Sequence, residues 1–164
     1  MRRSVHRRFA RLRKILLGGA LLAALQVTFA AFTLTEVVTP SLGTILSGVG
    51  GRQFILNTDE TVSGPAAADY LFGAVSGQLS LVGQNGNATV VADNFFGSGG
   101  VTITAVPCRY HIGTQTFCDT PGITVAVKKN AARTLYVGVH ITTGQSHSGG
   151  DTASVTYDIT VSFI

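Results

Sequence analysis

The chain has 164 residues, 45% of them apolar, which suits one domain with a sizeable core. Its formal charge of +4 is unevenly placed: seven of the twelve basic residues fall in the first fourteen positions, and all eight acids lie beyond residue 30. From residue 31 onward five basic side chains stand against eight acidic ones, a net −3, which excludes a nucleic-acid-binding domain built on clustered cations. Lys128, Lys129 and Arg133 form a small basic group that reads as a solvated strand end.

The first element is an export signal over residues 1–30. A basic stretch runs from Arg2 to Lys14, an apolar stretch of eleven residues from Ile15 to Leu25, and Thr28-Phe29-Ala30-Ala31 supplies small residues for cleavage after Ala30. A helix of that apolar length spans only about half of a ~30 Å hydrocarbon layer, so a cleaved leader is expected rather than a membrane anchor. The only membrane contact expected is through the uncleaved signal. Arg7-Arg8-Phe9 lacks the spacing of a twin-arginine signal, so general secretion is expected.

Beyond the leader, helical periodicity is nearly absent, and Ala66-Ala67-Ala68 offers at most one turn. Short Val, Ile, Thr and Phe runs alternate between faces, bounded by Gly, Asn, Asp and Pro. Strands are predicted at 32–35, 53–56, 79–81, 88–91, 101–105 and 123–128, with Asn85-Gly86 read as a hairpin turn. The two strongest follow. Leu135, Val137, Val139 and Ile141 share one face of the first, and Val155, Tyr157, Ile159, Val161 and Phe163 one face of the second. This many alternating strands predicts residues 31–164 as a single antiparallel β-sandwich, immunoglobulin-like or pilin-like, preceded by a signal-peptide helix. The nine Phe and four Tyr are read as mostly core.

Cys108 and Cys118, an even pair in an exported domain, are expected to form one disulfide. Two cysteines with no suitably spaced histidines do not make a zinc site. His6 leaves with the leader, and His111, His140 and His147 are too separated to form a local ligand pair. No Gly-x-Ser-x-Gly elbow occurs, Gly97-Ser98-Gly99-Gly100 reads as a turn, and Asp93, Asp119 and Asp151 stand beside turn residues. No catalytic residue, metal site or cofactor is expected, so the chain is not read as an enzyme. Asn87-Ala88-Thr89 matches a glycosylation sequon, a triplet that also arises by chance.

Several segments together resemble a bacterial family of exported, fimbria-like β-sandwich proteins of unknown function. They are Ser41-Leu42-Gly43-Thr44-Ile45, the strand Arg52 to Leu56, Val75 to Gly83, Thr134 to Ile141, and Tyr157 to Phe163. Leu42 stands where that family has Phe, and the cysteine loop is a second departure. More distantly, the chain resembles chaperone–usher pilin subunits, whose sandwich lacks a strand that a neighbour's N-terminal extension supplies. The penultimate Phe163 and Gly149-Gly150 upstream of the last strand carry that likeness.

The resemblance implies an exported structural or surface protein in the periplasm, on the cell surface or in the medium. Its partners would be itself or other envelope proteins, met through edge strands. Phe32 and Leu34 would act as donor knobs, and Val155, Tyr157, Ile159, Val161 and Phe163 would line the acceptor groove. The alternative is a monomeric secreted module binding a glycan or a cell-surface partner through loops 83–87, 97–100 and 144–150.

Overall fold

A computed structural model describes residues 33–46, 48, 50–144 and 152–164. The leader, Phe32, Gly149-Gly150, His147 and Asp151 lie outside the described residues. Among the described residues fourteen strands follow in chain order: β1 (Thr33–Val38), β2 (Thr44–Ile45), β3 (Gln53–Leu56), β4 (Val62–Ser63), β5 (Tyr70–Phe72), β6 (Gly77–Val82) and β7 (Gly86–Ser98) make the first half. The second half is β8 (Val101–Ala105), β9 (Pro107–Tyr110), β10 (Thr116–Phe117), β11 (Ile123–Val127), β12 (Arg133–Val137), β13 (Val139–Thr143) and β14 (Ser154–Phe163). The only helical element among the described residues is a 3-10 turn at Ala67–Asp69, where the alanine triplet suggested one.

The fold is all-β, and its strands pair antiparallel in four sheets. Their orders are β1-β6-β12-β9-β10, β11-β7-β14, β4-β3-β13-β8 and β2-β5. The five- and three-stranded sheets face one another across a common core. Leu79, Leu81, Cys108, Leu135 and Val137 come from the first, and Ala88, Val90, Val125, Val127 and Val161 from the second. A second cluster, with Phe54, Leu56, Val139 and Ile141 at its centre, lies under the four-stranded sheet, and Ile45, Tyr70 and Val155 pack against it.

Leu135, Val137, Val139 and Ile141 are all buried, as their alternation predicts. They do not belong to one strand of one sheet. The run breaks at Gly138, with Leu135 and Val137 in the first cluster and Val139 and Ile141 in the second. A neighbouring run breaks at Val106, between β8 and β9, and the Gly138 N–H donates to the Pro107 carbonyl at 2.7 Å. Both runs therefore change sheets together, which keeps their backbone groups paired through the bend.

Two sequence expectations are corrected here. Asn85-Gly86 is not a hairpin turn. β6 pairs with β1 and β12, while β7 pairs with β11 and β14, so the turn carries the chain from one sheet to the facing one. Asn85 Oδ1 instead accepts a hydrogen bond from the Lys129 N–H at 2.8 Å. Among the described residues the phenylalanines are also not mostly core. Phe54 is fully buried, but Phe72, Phe95, Phe96 and Phe117 are exposed.

Candidate functional site: the C-terminal edge strand

β14 is ten residues long, and among the described strands it pairs with β7 alone. Among the described residues no strand lies along its other side. The other sheet margins are shorter: β4 and β10 have two residues each, β8 and β11 five, and β1 six. β1 is also interrupted by a register shift between Glu36 and Val38, and β11 runs into Lys128-Lys129. Charges and bulges of this kind discourage a foreign strand from pairing. β14 has neither Lys, Arg, Pro nor Gly, and Asp158 is its one charge.

Its burial is incomplete as well as its pairing. Of the five residues on the inner face, only Val161 is buried; Val155, Tyr157, Ile159 and Phe163 are half-buried. Tyr157, Ile159 and Phe163 pack at the margin of the main core, and Val155 at that of the second cluster. Leu34 sits at the same margin, half-buried on β1, opposite Leu81 of its own chain. The side chain expected to enter a neighbour is thus engaged in its own sheet, while Phe32 lies outside the described residues.

The Tyr157 hydroxyl is buried and has no hydrogen-bond partner among the described residues. Burial, and secondarily the Glu36 carboxylate, push this phenol far above its ordinary range. An acid whose pKa is raised by folding stabilises the native state fully below its unfolded-state value, and that contribution is lost as pH rises above it. Tyr157→Phe should therefore leave stability at neutral pH unchanged or slightly higher. It should also blunt the loss of stability that begins near pH ~10, the ordinary phenol value. Denaturation midpoints at neutral and alkaline pH check this; an unchanged alkaline slope in the variant would refute it.

The remaining polar groups serve the fold. Cys108 and Cys118 are joined as a disulfide with Cα atoms 5.8 Å apart, both fully buried. Loop 57–61 is held by its own side chains. Asn57 Nδ2 donates to Thr61 and Ser63, and Gln115 Oε1 accepts from both the Thr58 N–H and its hydroxyl at 2.8 Å. Thr61 donates twice to Asp59, which lowers that exposed carboxyl's pKa. Arg109 donates to the Thr58 carbonyl and lies 4.4 Å from the Tyr136 ring centroid.

Asp119 Oδ1 accepts from the Val106 N–H at 2.7 Å, and Asp93 and Asp158 oppose each other on β7 and β14. His111 is exposed at a left-handed turn position, and His140 is half-buried on an outward face. Among the described residues no three His, Cys, Asp or Glu side chains come together as a metal site. The sequence alternation identified the inner face of β14; that Leu34, Glu36 and Tyr157 share one margin required the tertiary structure. No family model matches the chain, and no curated protein or solved structure is significantly similar to it.

Proposed function

We propose that this is an exported, non-enzymatic structural protein of the periplasm, cell surface or medium. It is an immunoglobulin- or pilin-like β-sandwich that associates with its neighbours by strand addition along β14. One observation carries the reading: a long margin along which no second strand lies among the described residues, and whose inner side chains are mostly only half-buried. A strand laid along it would satisfy outward backbone groups and cover those side chains. The basic–apolar–small order of residues 1–30 supports export, and the likeness of the segments ending at Phe163 to fimbria-like proteins supports a structural role.

The mature protein should begin at Ala31, and intact-mass analysis of exported material reads this directly. Native sizing of the same material should show multimers. Ile159→Lys, a charge on the inner face of the margin, should leave a folded monomer. A wild-type protein that is folded and monomeric on its own would end the assembly reading.

A further inference from the structure

We propose that one end of the sandwich, carrying Lys128, Lys129, Arg133 and Ile112, docks on an anionic bilayer surface. This shares with the reading above only the export of the chain and needs no assembly along β14.

Segments far apart in the sequence build this end. Thr33, where β1 begins, pairs with Val82, and the adjacent Leu81 pairs with Arg133. Gly83 bridges to Lys129, whose N–H donates to Asn85 Oδ1 at 2.8 Å, and Val127 pairs with Gly86. On the other side of β12, the His111 N–H donates to the Thr134 carbonyl at 2.7 Å. The turns at 83–85, 111–114 and 128–132 therefore lie side by side.

These turns hold no Asp or Glu. On the strands that lead to them the acids stand further in, Glu36 opposite Leu79 and Asp93 opposite Asp158. Asp59, beside the Thr58 that binds Gln115, feels the charge of Arg109. Among the described residues Arg52–Asp69 is the only ion pair, so Lys128, Lys129 and Arg133 keep their charge unpaired. A domain of net −3 thus gathers three of its five cations at one end. Beside them Ile112 is 87% exposed, following a left-handed His111. An aliphatic side chain rimmed by cations suits the boundary between lipid headgroups and acyl chains.

The chain also enters the domain here. The apolar stretch ends at Leu25 and β1 begins at Thr33, so residues 26–32 hold this end within roughly 25 Å of a leader seated in the bilayer. During export the basic end therefore faces the phosphates of the membrane surface. A nucleic acid is a poorer partner, because three cations on an acidic domain neutralise few of its phosphates.

The chain purified after export should bind vesicles of phosphatidylcholine with phosphatidylglycerol but not phosphatidylcholine alone, and high salt should release it. Lys128→Gln with Lys129→Gln should weaken binding about fivefold for each charge removed. Ile112→Ser should weaken it about tenfold. The chain has no Trp, so a single introduced one reports its own surroundings. Emission of Ile112→Trp should shift to the blue on the anionic vesicles, while that of Thr102→Trp, on an exposed position of β8, stays unchanged.

Circular dichroism confirms that each variant folds, and native sizing decides assembly along β14 separately. Equal binding to both kinds of vesicle, binding that survives loss of the two lysine charges, or equal shifts at residues 102 and 112 would each overturn the proposal. So would binding to polyphosphate as tight as to the vesicles and unchanged by Ile112→Ser, which would mark an acidic polymer as the partner.

Discussion

Gly138→Ala should be the most destabilising single change in the chain, at about 4 kcal/mol or more. A Cβ at this position falls on the carbonyl oxygen of Leu56, with the Leu56 and Asn57 carbonyl carbons at 2.9 and 3.3 Å. These are backbone atoms, so no rotamer change makes room. Moving them means moving the end of β3, where Leu56 is fully buried and pairs with Val139. Loop 57–61 would have to shift too, and it is tied down through Thr58 to Gln115 and Arg109. Shifting Gly138 instead breaks its bond to Pro107, which joins the two runs where they change sheets.

Either route disturbs both core clusters, so the cost should be about 4 kcal/mol or more, in the tail of single substitutions. That is much of the ~5–15 kcal/mol by which a domain is stable. Denaturant titration checks it, with Thr124→Ala on the exposed face of β11 as the control. An alanine variant within ~1 kcal/mol of the wild type would mean that the crossing of β3 over Gly138 is wrong.

Loss of the Cys108–Cys118 bond should have the second largest effect. Both half-cystines are fully buried in the main cluster, and the bond closes a loop of sequence separation 10. A loop of that size contributes roughly 2–3 kcal/mol by restricting the unfolded chain. The segment it holds also ties the layers together. The Cys118 N–H donates to the Val106 carbonyl at 2.9 Å, and its carbonyl accepts from the Ala92 N–H of β7 at 2.7 Å.

Cys108→Ser adds a buried hydroxyl that must find a partner, a further ~1–3 kcal/mol if it does not. The single serine variant should therefore be less stable than the double Cys108→Ala, Cys118→Ala variant. Both should fall below the wild type by about 2–5 kcal/mol. Denaturation with and without reductant measures the bond directly. A wild-type midpoint unmoved by complete reduction would show that the loop is held by its hydrogen bonds alone.

Alternation was enough to read the strand character and inner faces of the chain. Val155, Tyr157, Ile159, Val161 and Phe163 lie on one side of β14 because successive side chains of an extended backbone point to opposite faces. The same rule placed Leu135, Val137, Val139 and Ile141 inward, and two cysteines in an otherwise thiol-free domain pointed to their own pairing. All of this follows from local geometry, which each segment carries in its own residues.

Which strand lies beside which is a different quantity, because it depends on backbone contacts between segments far apart in the chain. Gly138 looks like any glycine within a strand until the Leu56 carbonyl is seen to cross it. Asn85-Gly86 has the composition of a hairpin turn, yet it joins facing sheets, since β6 finds its partners in β1 and β12. Phe72 and Phe96 have the side chains of a core and stand in solvent, because hydrophobicity does not say which face a neighbour will cover. The open margin of β14 is the last of these. Its residues alternate as an interior strand's would, and only the sheet order, with β7 on one side and no described strand on the other, makes it an edge.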